Sequence, residues 1–306
     1  YEEVIVGSTS MGNILTKQFY RQRKDFEDSC AGRDAGLTFP EGVICSTDIA
    51  YADDGIKAHM LDIYRPEDSQ EKILPVIINV HGGGLIIGNK EFNRYFCALL
   101  CKKGFLVYSI EYRLIPDCLI YDQIADVFIA MDYIKERLAA DGGDSSHVYM
   151  AGDSGGACLI TYANAIQNNT NIARAANVTP SGLRINALGL ISGMFYTSRF
   201  DKIGLFLPKY LYGRDYKKTP FAKYVNPENR ELLNSLAPVW LVTSHNDFLR
   251  RYTTDFEKAL TRAEREHELV VFPKNKKLTH AFSVFEPFLP ESSAVIDMMV
   301  EYLRKF

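Results

Sequence analysis

Short apolar runs alternate with longer amphipathic stretches along most of the chain. The runs are rich in β-branched residues and cover positions 76–80, 105–110, 148–151, 187–191, 239–243 and 269–272. Continuous apolar runs of this length are typical of parallel strands that are covered on both faces. Between them the sequence predicts helices, most clearly over 122–140, where apolar residues recur every three or four positions. The alternation predicts an α/β fold with a mostly parallel sheet flanked by helices.

Two segments depart from this alternation. Residues 48–51 and 59–64 are separated by Ala52-Asp53-Asp54-Gly55, and together they predict an antiparallel hairpin ahead of the parallel strands. The connection over 194–236 is far longer than the few residues that usually join a strand to the next helix, and it is rich in aromatic and aliphatic residues. We therefore predict that this connection forms a cap over a binding site.

Composition and charge exclude several classes of protein. The 306 residues are 47% hydrophobic and 24% charged, as expected for a globular fold with a large buried core. Thirty-five Lys and Arg face 38 Asp and Glu, so the net charge of −3 offers no overall attraction for nucleic acid or for an acidic membrane. The apolar stretch 73–80 is interrupted by Pro75 and Asn79 and is much shorter than the roughly 20 residues that a membrane helix needs. We expect no nucleic-acid partner and no membrane span, and a homodimer is compatible with this composition.

The cysteines and the start of the chain bear on localisation. Six cysteines are scattered through a large chain, which favours reduced thiols. Cys97 and Cys101 share a helix face but have no further ligands nearby, so we interpret them as core residues and predict no metal site. The chain begins without the basic and apolar regions of a signal peptide. These features predict a cytoplasmic protein.

The sequence Gly152-Asp153-Ser154-Gly155-Gly156 is the first sign of catalytic chemistry. It resembles the nucleophile loop of trypsin-like peptidases, and it also fits Gly-x-Ser-x-Gly, the nucleophile elbow of α/β-hydrolases. A predicted strand ends at Ala151 and a predicted helix covers 157–167, so Ser154 lies at a strand-to-helix turn, as the elbow requires. A trypsin-like peptidase is disfavoured, because its fold is all-β and its histidine and aspartate precede the serine.

A second glycine-rich segment, His81-Gly82-Gly83-Gly84, follows directly after the strand at 76–80. Acyl transfer places negative charge on the carbonyl oxygen of the substrate, and backbone N–H groups without side-chain bulk can be aimed at that charge. Together with the downstream elbow, this segment predicts an oxyanion hole formed by Gly83, Gly84 and Gly155.

A third segment, Glu111-Tyr112-Arg113-Leu114-Ile115-Pro116, follows the next strand. With these three segments in this order, residues 44–306 resemble the hormone-sensitive-lipase-like family of α/β-hydrolases, whose members carry His-Gly-Gly-Gly, Tyr-Arg-Leu-x-Pro and Gly-Asp-Ser-x-Gly. The resemblance implies an α/β-hydrolase fold with a helical cap that an N-terminal helix joins. The predicted units are an N-terminal helical segment contributing to the cap (1–43), the core (44–193 and 237–306) and the cap insertion (194–236).

In α/β-hydrolases an acid and then a histidine follow the nucleophile. Asp247 comes after the penultimate predicted strand, and His280 comes after the last one. Both match the acid and base segments of the family, which commonly read Asp-Pro-Leu and His-Gly-Phe, although Phe248 and Ala281 stand at the second positions here. We predict that Asp247 orients His280 and that His280 takes the proton of Ser154.

Neighbouring residues are predicted to support these groups. His81 and Gly82 should brace the oxyanion loop. Asp153 adjoins the nucleophile and cannot orient the far ring nitrogen of the base, so we assign it a supporting role. Glu111 and Arg113 are predicted to form a buried ion pair beneath the elbow loops.

Apolar residues near the glycines and in the cap insertion predict the substrate pocket. They are Leu85, Phe195, Phe206 and Leu207. The sequence thus predicts a serine carboxylesterase that hydrolyses a small-molecule ester of short or medium acyl chain without a cofactor. An amidase or a sugar O-deacetylase with the same triad is an alternative. A non-catalytic receptor is another, as in the gibberellin receptors of this family, but those lose the catalytic histidine, whereas His280 is present here.

Overall fold

A computed structural model describes residues 2–69 and 72–306 of the chain, with side chains from Ile14 onward. Eight strands form one sheet in the order β1-β2-β4-β3-β5-β6-β7-β8. The strands are β1 (Val43–Ala50), β2 (Met60–Pro66), β3 (Leu74–Val80), β4 (Leu106–Ile110), β5 (Gly143–Asp153), β6 (Ala187–Ile191), β7 (Val239–Ser244) and β8 (His267–Phe272). The α-helices of the described residues are α1 (Glu2–Asp34), α2 (Arg94–Lys102), α3 (Ile120–Arg137), α4 (Ser154–Asn168), α5 (Thr170–Ala176), α6 (Lys202–Phe206), α7 (Pro208–Tyr212), α8 (Arg230–Asn234), α9 (Arg250–Arg262), α10 (Phe282–Phe285) and α11 (Pro290–Leu303).

The sheet is mostly parallel. Strands β3 to β8 pair in parallel with their neighbours, while β2 pairs antiparallel with both β1 and β4. The predicted fold class is therefore confirmed. The predicted hairpin corresponds to β1 and β2, and both strands are longer than the sequence pattern indicated.

Two separate apolar cores cover the faces of the sheet, because successive side chains of a strand point to opposite sides. Ile77 and Val107 enter the core that contains α2 and α11. Ile78 and Tyr108 enter the other core, which contains α3, α4 and α9. Since both faces are covered, every position of β4, β6 and β7 is buried, and this explains why their sequences are almost continuously apolar.

The helix that the sequence predicts over 122–140 lies at Ile120–Arg137. The Asp122 carboxylate accepts a hydrogen bond from the backbone N–H of Leu119, which fixes the start of α3 earlier than the apolar pattern suggests. At the other end, the Arg137 guanidinium binds Asp141 at 2.6 Å, where the chain turns toward β5.

The long connection between β6 and β7 folds into the short helices α6, α7 and α8, with two 3₁₀ turns at Tyr216–Lys218 and Pro220–Tyr224. Helix α1 lies against this connection, and the Phe19 ring meets Tyr210 edge-on at 5.2 Å. In the part of the chain that the structure describes, none of the helices combines the length and apolar character needed to cross a bilayer. The division of the chain into core and cap stays a prediction.

Candidate active site

Ser154 lies at the sharp turn between β5 and α4. Its φ is +49°, a left-handed conformation that residues other than glycine rarely adopt. A Cβ atom on Gly156 would lie 2.2 Å from the carbonyl oxygen of Val80 and 2.5 Å from that of His81. Only glycine allows α4 to approach the end of β3 so closely. The turn thus places the Ser154 hydroxyl at the carboxyl end of the sheet.

Three loops at this end of the sheet bring the predicted nucleophile, base and acid together. His280 Nε2 lies 2.9 Å from Ser154 Oγ, and His280 Nδ1 lies 2.7 Å from Asp247 Oδ1. A carboxylate only accepts hydrogen bonds, so it selects the imidazole tautomer that carries its proton on Nδ1. The other nitrogen, Nε2, is then free to accept the proton of the Ser154 hydroxyl.

Two further hydrogen bonds hold the Asp247 carboxylate. Oδ1 accepts from the backbone N–H of Leu249 at 2.8 Å, and Oδ2 accepts from the Thr243 hydroxyl at 2.8 Å. Burial raises the pKa of Asp247, but the hydrogen bond and charge of His280, together with further hydrogen bonds such as that from the Leu249 N–H, lower it more, so the pKa lies below its ordinary value. The acid is therefore ionised at neutral pH and fixed in orientation. Sequence reasoning missed Thr243, because a threonine in an apolar strand carries no distinguishing signal.

The predicted oxyanion loop faces the first turn of α4. The backbone N–H groups of Gly83 and Gly84 donate no hydrogen bond to any residue that the structure describes. Gly155 belongs to the first turn of α4, where N–H groups lack partners within the helix. It packs so closely on the loop that a Cβ atom would lie 3.0 Å from the nitrogen of Gly84. Unpaired donors beside a nucleophile are the arrangement that stabilises a developing oxyanion.

A buried polar network holds this loop from behind. His81 Nε2 lies 2.6 Å from Glu111 Oε1, while the Gly82 N–H donates to Asp153 Oδ1 at 3.1 Å. The Asn93 side chain donates to the same Asp153 oxygen at 2.9 Å. Burial lowers the pKa of His81, but the charge and hydrogen bond of Glu111, with smaller contributions from the Gly82 carbonyl and Asp153, raise it more, so the pKa is raised overall. Burial raises the pKa of Asp153. His81 and Gly82 are the first two residues of the glycine-rich segment, and Asp153 binds this segment through the Gly82 N–H. Sequence reasoning missed Asn93, which belongs to the same network.

The predicted ion pair between Glu111 and Arg113 is wrong. Glu111 binds His81, and Arg113 instead binds Asp126 of α3 at 2.7 Å. Each side chain thus meets its charged partner on a different element of the fold. Proximity in sequence could not reveal either pairing.

An apolar cavity of about 620 Å³ opens over Ser154. Its walls come from α1, from the residues after the oxyanion loop and from the β6–β7 connection: Phe19, Phe26, Ile86, Ile87, Phe206 and Leu207. A larger polar hollow of about 800 Å³, near Asn168 and Arg265, contains none of the predicted site residues. Within the described part of the chain, no group of three or more His, Cys, Asp or Glu side chains is placed to hold a metal ion.

Two of the four predicted pocket residues lie outside the cavity. Leu85 has a φ of +68°, and its side chain is buried in the core while Ile86 and Ile87 face the cavity. Phe195 is buried and stacks on Phe256 of α9, with ring centroids 4.2 Å apart. The predictions for Leu85 and Phe195 were wrong because a run of apolar residues in a loop does not define the direction in which each side chain points.

Comparison with known proteins identifies the family. A family model described as the α/β hydrolase fold matches residues 77–283, which is more than half of the chain. The chain belongs to the α/β-hydrolase family. The match confirms the resemblance to the hormone-sensitive-lipase-like group of these hydrolases.

Curated relatives of this α/β-hydrolase carry the names of esterases. A probable isoprenylcysteine alpha-carbonyl methylesterase of Oryza sativa subsp. japonica is 29% identical over 184 residues, covering 56% of this chain and 44% of the relative. The esterase LipC of Mycobacterium tuberculosis is 31% identical over 122 residues, covering 40% of this chain and 30% of the relative. The chain thus spans less than half the length of these two relatives.

Among solved structures, esterase B of Lactobacillus rhamnosis superposes with a TM-score of 0.89 over 96% of this α/β-hydrolase and 95% of the esterase, at 22% identity. The same esterase has also been solved with a tributyrin phosphonate, again with a TM-score of 0.89, 22% identity and coverage of 96% and 95%. At this level of identity the likeness establishes the shared fold.

Proposed function

We propose that this α/β-hydrolase is a serine carboxylesterase that hydrolyses esters of short to medium acyl chain. The observation that carries the proposal is the continuous set of contacts from Ser154 through His280 to Asp247, beside unpaired backbone donors and within one apolar cavity. The names of the curated relatives support ester hydrolysis as the reaction.

In the proposed mechanism Ser154 Oγ attacks the carbonyl carbon of the ester while His280 Nε2 takes its proton. The N–H groups of Gly83, Gly84 and Gly155 stabilise the negative charge on the carbonyl oxygen. His280 then gives the proton to the departing alcohol, which leaves an acyl group on Ser154. A water molecule, deprotonated by the same histidine, releases the acid and restores the serine.

The cavity wall supports an apolar acyl group. The side chains around Ser154 are apolar, apart from the reacting groups, the supporting Asp153 and the polar side chains of Gln22 and Lys202. A sugar O-deacetylase would need more hydrogen-bonding groups to orient a polyol. The receptor alternative is also less well supported, because His280 is present and contacts both Ser154 and Asp247. A tributyrin phosphonate bound to the Lactobacillus esterase further supports short acyl chains.

Labelling with a fluorophosphonate probe tests the nucleophile. We expect the probe to label Ser154 alone, and the Ser154→Ala variant should lose both labelling and the hydrolysis of p-nitrophenyl esters. The Ser146→Ala variant is the matched control, because Ser146 is exposed and remote from the cavity. Labelling of another serine, or ester turnover that survives in Ser154→Ala, would contradict the proposal.

Cytoplasmic localisation and a homodimer stay predictions. Sedimentation equilibrium of the purified protein tests the homodimer, and fractionation of source cells tests localisation. A monomer at all concentrations, or recovery outside the cytoplasmic fraction, would contradict them.

A further inference from the structure

Four large apolar side chains are exposed on two chain segments that line the cavity, around Lys202–Leu207 and at Phe248. They form what we call the rim patch: Phe200 (96% exposed), Leu205 (57%), Phe206 (53%) and Phe248 (75%). Phe206 and Phe248 also line the cavity, so the patch is continuous with the candidate active site. Folded proteins rarely leave large apolar side chains clustered in water, and such clusters mark interaction surfaces.

The segment that carries most of the rim patch is basic, although the whole chain is acidic. Residues 199–218 contain six Lys and Arg and two Asp, against a net charge of −3 for the chain. Two of the cations are paired, since Lys218 binds Asp215 and Arg199 binds Asp255. The other four cations of the segment stand against the single charge of Asp201, which accepts hydrogen bonds from the Gly204 N–H and the Tyr252 hydroxyl. The segment that carries most of the rim patch therefore keeps a net positive charge.

The positively charged side chain of Lys202 lies at the cavity itself. It lines the cavity together with Phe206 and Phe248, and it lies one helical turn from Leu205. No Asp or Glu of the described residues lies within 4.0 Å of its ammonium group, whereas Arg199 in the same segment binds Asp255 at 2.9 Å. Lys202 is thus available to an external anion.

We propose that the rim patch docks on an anionic lipid surface. Exposed aromatic and aliphatic side chains enter the boundary between headgroups and acyl chains, while lysine and arginine side chains face the lipid phosphates. Docking in this way turns the mouth of the cavity toward the lipid. An ester held in the lipid then reaches Ser154 without crossing water, and this last step rests on the proposed function.

A lipid surface fits the rim patch better than a second copy of the chain. A two-fold contact places the same surface on both partners, so the basic segment would face itself and repel. An anionic lipid surface instead complements both the apolar side chains and the positive charge.

Binding to vesicles tests the proposal separately from catalysis. The whole 306-residue chain carrying Ser154→Ala is sedimented with vesicles of phosphatidylcholine, with and without phosphatidylserine. We expect binding to the vesicles that contain phosphatidylserine, weakened by added salt. Adding Phe200→Asp and Leu205→Asp should lower the partition coefficient about tenfold or more, because two large apolar groups leave the interface. Neither of these two residues lines the cavity.

The matched control carries Ile129→Asp and Val271→Asp, which change two apolar side chains that are 38% and 46% exposed on other elements. We expect this control to bind vesicles like the parent, and circular dichroism checks that each variant is folded. If an acidic variant does not fold, Phe200→Ser with Leu205→Ser replaces it.

Three results would overturn the proposal. They are no binding by the parent to either vesicle, equal binding by the folded patch variant, and a dimer in sedimentation equilibrium that the patch substitutions abolish. Hydrolysis of soluble p-nitrophenyl acetate by protein with the native Ser154 is measured in parallel. If the protein with its native Ser154 does not hydrolyse this ester, the proposed function is refuted, but the result of the vesicle experiment still stands.

Discussion

Replacing Asp247 by asparagine tests the proposed proton path with little change of shape. The carboxylate receives hydrogen bonds from His280 Nδ1 at 2.7 Å, from the Leu249 N–H at 2.8 Å and from the Thr243 hydroxyl at 2.8 Å. Asparagine fills the same space but is neutral, and only one of its two terminal atoms accepts hydrogen bonds. The substitution therefore removes the charge that faces the imidazolium formed when His280 takes the Ser154 proton.

The size of the effect follows from this charge pair. Two unit charges about 4 Å apart attract by about 4 kcal/mol at an effective dielectric constant of about 20. Since about 1.4 kcal/mol corresponds to a tenfold change in rate, the catalytic rate constant should fall about 10³-fold. A wrong imidazole tautomer adds to this loss, and the corresponding change in a serine peptidase costs about 10⁴-fold. We therefore expect a loss of about 10³ to 10⁴ in kcat.

The assay is steady-state hydrolysis of p-nitrophenyl butyrate, with thermal unfolding to verify the fold of each variant. Asp255→Asn is the matched control, because Asp255 pairs with Arg199 outside the cavity and should leave kcat unchanged. A folded Asp247→Asn variant that keeps more than about a tenth of the parent kcat would refute the reasoning. Another carboxylate would then have to orient the histidine.

The remaining predictions address the pocket, the oxyanion loop and the elbow. Phe206→Ala should shift the chain-length optimum of a p-nitrophenyl ester series while acetate turnover changes little, because an acyl chain gains about 0.8 kcal/mol per buried methylene; an unchanged profile would place the acyl group elsewhere. The pKa of His81 is raised in the folded protein by Glu111, so the pair stabilises the fold fully below about pH 6 and loses this effect as pH rises through the raised pKa. The parent should therefore melt at a higher temperature than the Glu111→Gln variant at about pH 6, and this difference in melting temperature should become smaller toward about pH 9. A difference that increases with pH would contradict the pairing. Gly156→Ala should destabilise the fold by several kcal/mol or abolish labelling by the fluorophosphonate, because its Cβ would lie 2.2 Å from a backbone oxygen. Gly32→Ala, with no atom within 4 Å of the added Cβ, is its control, and equal stability and labelling in both variants would contradict this account of the elbow.

The sequence alone predicted the parts of the fold that local patterns encode. The apolar runs located the parallel strands because burial on both faces leaves no room for polar positions, and the run at Ala187–Ile191 matches β6 at both ends. The glycines around Ser154 indicated the elbow, since the turn tolerates no larger residue at Gly156. Chain order then supplied Asp247 and His280 as candidates, because each follows a strand whose carboxyl end lies at the same edge of the sheet.

Only the tertiary structure decided which side chains meet. Glu111 and Arg113 are two positions apart, yet their charges bind His81 and Asp126 on other elements. Leu85 belongs to an apolar stretch beside the oxyanion loop, but three consecutive positive φ angles at Gly83, Gly84 and Leu85 turn the chain, and the Leu85 side chain is buried in the core.

The role of Thr243 could not be predicted from the sequence either. Its hydroxyl holds the Asp247 carboxylate, although its sequence context is that of any buried strand. Backbone conformation follows from short-range sterics and periodic burial, which a sequence displays directly. Side-chain partnership depends on the relative placement of segments that lie far apart in the chain, and that placement exists only once the sheet has assembled.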